Sequence, residues 1–394
     1  MAAKNWTLID VANSTQANDL TIRPSDVGGA AKGYSVSKRT LRAGLSEGVE
    51  VLRVDNGKLA LEILLTRGLS IWKAWLGGEE IGWQSPIRGP VHPKFVPTAE
   101  PSGLGWLEGF DELLVRCGLE SNGAPEFDDR GRVKYPLHGR IANRPAQKVD
   151  LAIDGETGEI TVVGEVDESR FLFHNLRLRS TIKTRVGEAG FRIQDEIINL
   201  SERPAQAQIL YHVNFGRPLL DPGARLVAPV AVVMPRDKRA AEGMATWDSY
   251  AAEQPGFAEQ VYFLQLLADE RGATMAMLKN AHSTRAVSLH FAQPQLPCFT
   301  LWKNTMSTAE GYVTGLEPGS NYPNPRSFEG EQGRVIKLPP RGSATIGLQL
   351  AVHGTPAEVE AAEKNVQALQ RRAEPRVFME PQPGWCPPSE KPKN

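Results

Sequence analysis

The chain has 394 residues, 41% hydrophobic and 23% charged, and its 45 Lys and Arg against 46 Asp and Glu leave a formal net charge of −1. That balance offers no basic face to nucleic acid or an acidic membrane, while the length is ample for a large core. Three cysteines, Cys117, Cys298 and Cys386, are odd in number and unrelated in spacing, which argues against a disulfide framework or a zinc knuckle. The opening segment Met1–Thr7 has no apolar leader, and no run nears the roughly 20 apolar residues of a membrane span. The expectation is a reduced, cytoplasmic protein with neither membrane nor nucleic-acid partner.

Residues 1–45 are polar and broken by Gly28, Gly29 and Gly33, and read as an N-terminal extension with one or two short strands. The texture changes at Val49. Alternating runs on either side of Asp55-Asn56-Gly57 predict a β-hairpin over 49–64. Further strands are predicted at 69–76 and 81–83. Residues 84–110 are rich in Pro, Gly and aromatics without a period, and a loop of that length is usually functional or wraps another surface.

Beyond residue 147 strand signals recur between turns, at 159–166, 171–186, 190–200, 205–215, 225–233, 260–267, 273–278, 286–291, 298–302, 333–338 and 343–352. One helix is signalled, with Thr355 as N-cap, Pro356 at its first position and Glu358 completing a capping box. A Pro-rich tail follows from Pro375. So many strands without a fixed repeat predict an all-β protein, a large antiparallel sandwich in one domain over 46–355, followed by a short C-terminal helix and tail over 356–394.

Three segments place titratable groups in unusual settings. His138 lies between Pro136 and Gly139, a bracket that fixes a turn and lets backbone approach a ligand, although a turn histidine bonded to water leaves the same signature. Arg140 faces the same side if the segment is extended, which would make a donor pair for hydroxyl-rich ligands; a surface salt bridge is the plainer alternative. In Ala207–Phe215, period-two alternation puts Gln208, Leu210, His212 and Asn214 on one face, either a pocket wall or a solvated edge. Glu317, between Gly315-Leu316 and Pro318-Gly319, reads as opening a Pro-rich loop, a rigid mount for a general base.

Other residues carry weaker signals. Trp302 and Lys303 end an apolar run, offering a stacking face and an ammonium, or simply a sheet-end Trp with a snorkelling Lys. Arg116 is a charge inside an apolar run and requires a partner, for which Asp111 and Glu112 are at hand; an anion-binding role is the sharper alternative. There is no Gly-Lys-Ser/Thr phosphate loop, no His-Glu-x-x-His and no Gly-x-Ser-x-Gly, and the seven histidines show no metal-ligand spacing. No metal or cofactor is expected.

Taken together, Leu137-His138-Gly139, His212 with Asn214-Phe215, and Glu317-Pro318, in that order, resemble the aldose 1-epimerases of the galactose mutarotase-like superfamily. Thr66–Ile71 and Phe110–Leu119 look more like a poorly characterised branch related to them. The resemblance runs from about residue 45 to 355. It implies a β-supersandwich with a concave sugar-binding face and an isomerase acting on a monosaccharide or modified sugar without metal or nucleotide. Glu317 would be the base, His212 the acid that protonates the ring oxygen, and His138 a sugar holder, with Arg140, Asn214, Arg116, Asp111, Trp302 and Lys303 around the substrate. Arg140 departs from the family pattern, and cations at 116, 140 and 303 suggest an acidic sugar. The alternatives are a carbohydrate lyase or another sugar isomerase on the same fold, or a sugar-binding protein without catalysis.

Overall fold

The computed structural model describes residues 3–388. Two large antiparallel sheets face one another, one of ten strands and one of fourteen, with a separate two-stranded ribbon over 126–135. In the long strands Glu159–Arg170, His174–Arg185 and Gly190–Asn199, buried and wetter positions alternate, as a sheet with one face on the core requires. The predicted hairpin is present as Glu50–Asp55 and Leu59–Leu64. One core fills the space between the sheets. Leu52, Leu61, Ile63, Tyr211 and Val213 from the larger sheet meet Val149, Leu151, Val162, Leu178, Ile193 and Leu348 from the smaller.

The outer face of the larger sheet is not left bare. Strands there run in the order Val230–Pro235, Gln260–Leu266, Cys298–Asn304, Val313–Gly319, Ala205–Phe215 and Leu114–Leu119. The 84–110 segment contains no strand and folds onto this face, where Trp106 and Phe110 pack with Trp83, Val115, Cys117, Ala142, Leu210 and Val313. Arg67 secures the segment from beneath. Its buried guanidinium donates to Glu112 Oε1 at 2.6 and 2.9 Å, to the carbonyls of Val91 and Gly109 at 2.9 Å each, and to Asn143 Oδ1 at 2.8 Å.

Both ends of the chain join the sheets. Lys4–Asp10 pairs with Ala146–Ile153 in the smaller sheet, and Leu20–Ile22 pairs with Ser35–Thr40 in the larger, so residues read as an extension contribute edge strands. Helix Pro356–Gln370 has the expected Thr355–Glu358 capping box and lays Val359, Ala362 and Val366 on Met275, Met277 and Ala286 of the smaller sheet. After it, Arg376–Val377 pairs parallel with Val232–Val233, and Phe378, Trp385 and Cys386 pack on the outer face of the larger sheet with Met234, Phe263 and Tyr322. Among the described residues no helix is long and apolar enough to cross a membrane.

Two sequence expectations need correction here. Glu317 does not open a loop; it lies inside the strand Val313–Gly319, laddered on both sides and buried throughout. Gly315, Pro318 and Gly319 read as turn residues, but a strand covered on both faces loses its alternation, and Pro318 is tolerated inside the ladder. Arg140 does not share a side with His138. The backbone is left-handed at both His138 (φ 56°) and Gly139 (φ 72°), which breaks the period-two rule and turns Arg140 toward Glu120, 3.4 Å away.

Arg116 lies fully buried on the core face, where its guanidinium donates to both oxygens of Asp195, to Ser180 Oγ at 2.7 Å and to Leu69 O at 3.0 Å, while Tyr211 Oη also donates to Asp195. Removing one partner of such a pair leaves an uncompensated buried charge. Asp195→Ala is therefore expected to destabilise the fold by about 3–5 kcal/mol, read from urea unfolding, and a loss below ~1 kcal/mol would contradict this role.

Candidate active site

Antiparallel register brings the His212 and Glu317 side chains together. Val213 opposite Leu316 and Asn214 opposite Gly315 set His212 directly across from Glu317, both on the outer face. Glu317 in turn faces Thr300 on the next strand, and Gly315 faces Trp302. His212 Nε2 lies 3.1 Å from Glu317 Oε1, with both residues buried to within 4% of full exclusion.

The tautomer of His212 follows from its other nitrogen. Asn214 Nδ2 donates to the carbonyl of Glu112 at 2.9 Å, so Asn214 Oδ1 is the atom 2.6 Å from His212 Nδ1 and must accept from it. Nε2 then holds a proton only when the ring is cationic. At 3.1 Å the pair therefore shares one proton, carried either by the Glu317 carboxyl toward a neutral ring or by the imidazolium toward a carboxylate. Burial raises the Glu317 pKa well above the ordinary value, with Glu259 adding to the effect and Arg236 opposing it. Burial, assisted by His138, lowers that of His212 well below its ordinary value. Both directions favour the uncharged pair.

Gly315 makes room for this pair. A Cβ there would fall 2.6 Å from Glu317 Oε1 and 3.0 Å from His212 Cε1. The notch it leaves is bordered by Trp302, whose ring centroid is 5.5 Å from that of His212, and by Phe110 at 5.1 Å.

His138 reaches the cluster from a turn, not a strand. Its amide donates to Gly123 O, its carbonyl accepts from Gly118 N, and Gly139 passes so near Gly118 and Ser121 that a Cβ would meet their carbonyl oxygens at 2.3 and 2.0 Å. The ring stands edge-on to His212 (centroids 5.4 Å apart) and to Trp106 (4.5 Å). Nδ1 donates to Asn122 O at 3.0 Å, which leaves Nε2 as an acceptor. Asn122 and Asn321 exchange amide hydrogen bonds of 2.9 and 2.7 Å, tying this turn to the residues just after Glu317.

The remaining candidates are distributed unevenly. Trp302 stands beside His212 and donates its indole N–H to Glu259 at 2.7 Å, and Asn214 orients His212. Arg116 lies on the core side of the sheet. Lys303 also points inward, donating to the carbonyls of Thr246 and Ser249 beneath the Tyr250 and Tyr262 rings, with burial lowering its pKa to about 8. Asp111 accepts from Trp72 Nε1 at 2.7 Å, none of its hydrogen bonds reaches the cluster, and burial lifts its pKa to about 7. None of the three cations at 116, 140 and 303 contacts the His212–Glu317 cluster, which removes the observation that suggested an acidic sugar. Among the described residues no three His, Cys, Asp or Glu side chains gather as a cation site.

Several site residues went unmarked in the sequence. Gly315 was recoverable, since it stands two positions from Glu317 and so shares its face. Trp106 and Phe110 come from the aperiodic loop, and Arg236 and Glu259 from strand ends, where no local pattern distinguishes them.

His138 provides a direct check on these electrostatics. Burial lowers its pKa from 6.5 to about 4, against the weaker opposing pull of the Asn122 carbonyl and Glu259. A depressed folded pKa means that its contribution to stability is complete above about pH 6.5 and is lost as the pH falls toward 4. The His138 ring resonance is expected to remain that of a neutral imidazole at pH 6, and a midpoint near 6.5 would contradict the buried setting.

The family model described as Domain of unknown function (DUF4432) matches residues 46–352. A search of curated proteins found no match. The crystal structure of a Klebsiella pneumoniae protein provisionally named an aldose 1-epimerase is 33% identical, covers 96% of this chain and 98% of its own, and superposes with a TM-score of 0.91. More distant likenesses share the fold. A galactose mutarotase-like protein from Clostridium acetobutylicum is 15% identical over 81% of this chain and 98% of its own, with a TM-score of 0.56. The galactose 1-epimerase of Lactobacillus acidophilus is 13% identical over 80% and 98%, with a TM-score of 0.52. On its family-model match over residues 46–352 and its near full-length likeness to the Klebsiella protein, the chain belongs to the DUF4432 family, and its sheets have the fold of the galactose mutarotase-like protein from Clostridium.

Proposed function

We propose that this protein is an aldose 1-epimerase, interconverting the anomers of a neutral sugar. The observation that carries the reading is the 3.1 Å contact between Glu317 Oε1 and His212 Nε2 on the outer face of the larger sheet, with the tautomer of His212 set by Asn214. Mutarotation needs a base for the anomeric hydroxyl and an acid for the ring oxygen, working together without net proton gain.

In the reactive form the proton is on His212 and Glu317 is a carboxylate. Glu317 takes the proton from O1 while His212 Nε2 gives its proton to the ring oxygen. The bond from C1 to the ring oxygen breaks, and C1 and O1 become the aldehyde. The enzyme is left with protonated Glu317 and neutral His212, the other of its two one-proton forms. Rotation about C1–C2 and the same transfers in reverse close the ring as the second anomer. The low dielectric that favours the uncharged pair stabilises the enzyme's state in the open-chain intermediate. His138 Nε2 accepts from a sugar hydroxyl, Trp302 and Phe110 offer apolar faces to the ring, and Gly315 lets Glu317 and His212 come together beneath it.

Magnetisation-exchange NMR over a panel of aldoses tests the reading. Glu317→Gln and His212→Asn are expected to slow anomer exchange by about two to four orders of magnitude. If no sugar exchanges faster with the wild type than with Glu317→Gln, the reading falls. Gly315→Ala is expected to slow the same reaction by at least about tenfold while unfolding at a similar temperature, because its methyl collides with the catalytic pair rather than the core. Wild-type rates in Gly315→Ala would show that the reaction does not depend on the placement of the Glu317–His212 pair.

A further inference from the structure

Beyond the cluster that would touch the sugar, the cleft mouth carries a chain of polar contacts. Trp302 Nε1 donates to Glu259 Oε2 at 2.7 Å. Arg236 donates from Nη2 to Glu259 Oε1 at 3.1 Å and from Nε to Asp237 at 2.9 Å. Glu259 immediately precedes the strand Gln260–Leu266 and Arg236 immediately follows Val230–Pro235, adjacent strands of the sheet that holds Glu317. The tail supports the rim from behind, with the Cys386 side chain against the Pro235 carbonyl.

We propose that Glu259 and Arg236 are positioning residues, a hydrogen-bonded rim pair that holds the Trp302 indole beside His212 and sets the charge environment of Glu317. The proposal deepens the mutarotase reading and takes its functional meaning from it. Two physical arguments support it. First, Trp302 is half-buried between the apolar cluster of Trp106 and Phe110 and that of Phe263 and Tyr322, and its indole N–H donates to Glu259, the polar contact that adds orientation to this packing. Second, the charges near Glu317 come from several elements. His212 comes from its strand, His138 from the turn, Cys117 and Cys298 from flanking strands, and Glu259 and Arg236 from the rim. His212 and His138 are uncharged at neutral pH by their lowered pKa values, and burial pushes both thiols up, that of Cys298 to about 12. At neutral pH the two rim residues are therefore the permanent charges of this set. Glu259 disfavours the carboxylate of Glu317 and Arg236 favours it.

The pair sets how often Glu317 is available as a base, and its two members can be separated by substitution. Both are partly exposed, at 48% and 34% of their side chains, so replacing either leaves the core intact. The test is a titration of the Glu317 carboxyl by 13C NMR, run in sugar-free protein alongside the pH profile of anomer exchange. Glu259→Gln is expected to move the Glu317 midpoint down and Arg236→Gln to move it up, each by about half a pH unit or more. Glu259→Gln also retains an acceptor for the indole, whereas Glu259→Leu does not. The Leu variant is expected to raise KM severalfold over the Gln variant with little further change in kcat.

Midpoints that stay put, or that move in the same direction in both variants, would overturn the electrostatic part. Equal KM in Glu259→Leu and Glu259→Gln would overturn the part that concerns Trp302. Because the carboxyl titration needs no substrate, opposite shifts in a protein that accelerates no sugar would sustain the rim pair and reject the mutarotase reading instead.

Discussion

Tyr211 and His212 leave one strand on opposite faces, and the two faces are held by quite different forces. On the core side, Tyr211 and Arg116 both reach Asp195, a residue of the other sheet, with no solvent access. On the outer side, His212 reaches Glu317 across an antiparallel ladder. A slip of one residue in either strand would send every side chain to the wrong face, placing Arg116 in the cleft and His212 in the core. The inner ion pair therefore does more than satisfy a buried charge. It ties the strands Leu114–Leu119 and Ala205–Phe215 to the opposite sheet in one register, and that register is what builds the outer cluster.

Burial then does the electrostatic work. A carboxyl that would be ionised at neutral pH in water is driven toward its protonated form, an imidazole is held further on the neutral side, and a fixed amide decides which imidazole nitrogen faces the carboxyl. The result is a pair that holds one proton between them, with the uncharged form favoured by burial. The cover comes from the 84–110 segment, whose Trp106 and Phe110 exclude water from the histidines, and Arg67 holds that segment by collecting carbonyls that a loop on a sheet face would otherwise leave unpaired.

Glycine has two separate uses at this site. Gly139 permits a left-handed turn pressed against neighbouring carbonyls, which delivers His138 from outside the sheet. Gly315 has no unusual dihedral; what matters is that Glu317 and His212 occupy the place its side chain would take. The sequence marks both with the same letter, and only the packing distinguishes a conformational glycine from a spatial one.

Much of the architecture was legible locally. Alternation along 159–166 and 190–200, the Asp55-Asn56-Gly57 turn and the Thr355–Glu358 cap are short-range signals, and each dictates its element because the relevant hydrogen bonds close within a few residues. Alternation alone also placed His212 and Asn214 on one face. What tertiary structure decided was pairing and facing. Glu317 read as a loop residue because a strand covered on both sides has no wet face to reveal its period. Arg116, Arg140 and Lys303 read as ligand-facing cations because a sequence does not say which side of a sheet is the core, nor that two left-handed residues would turn Arg140 away. Sequence by itself determined which residues are capable of acid–base chemistry; only the register between strands separated by about a hundred residues decided which of them meet.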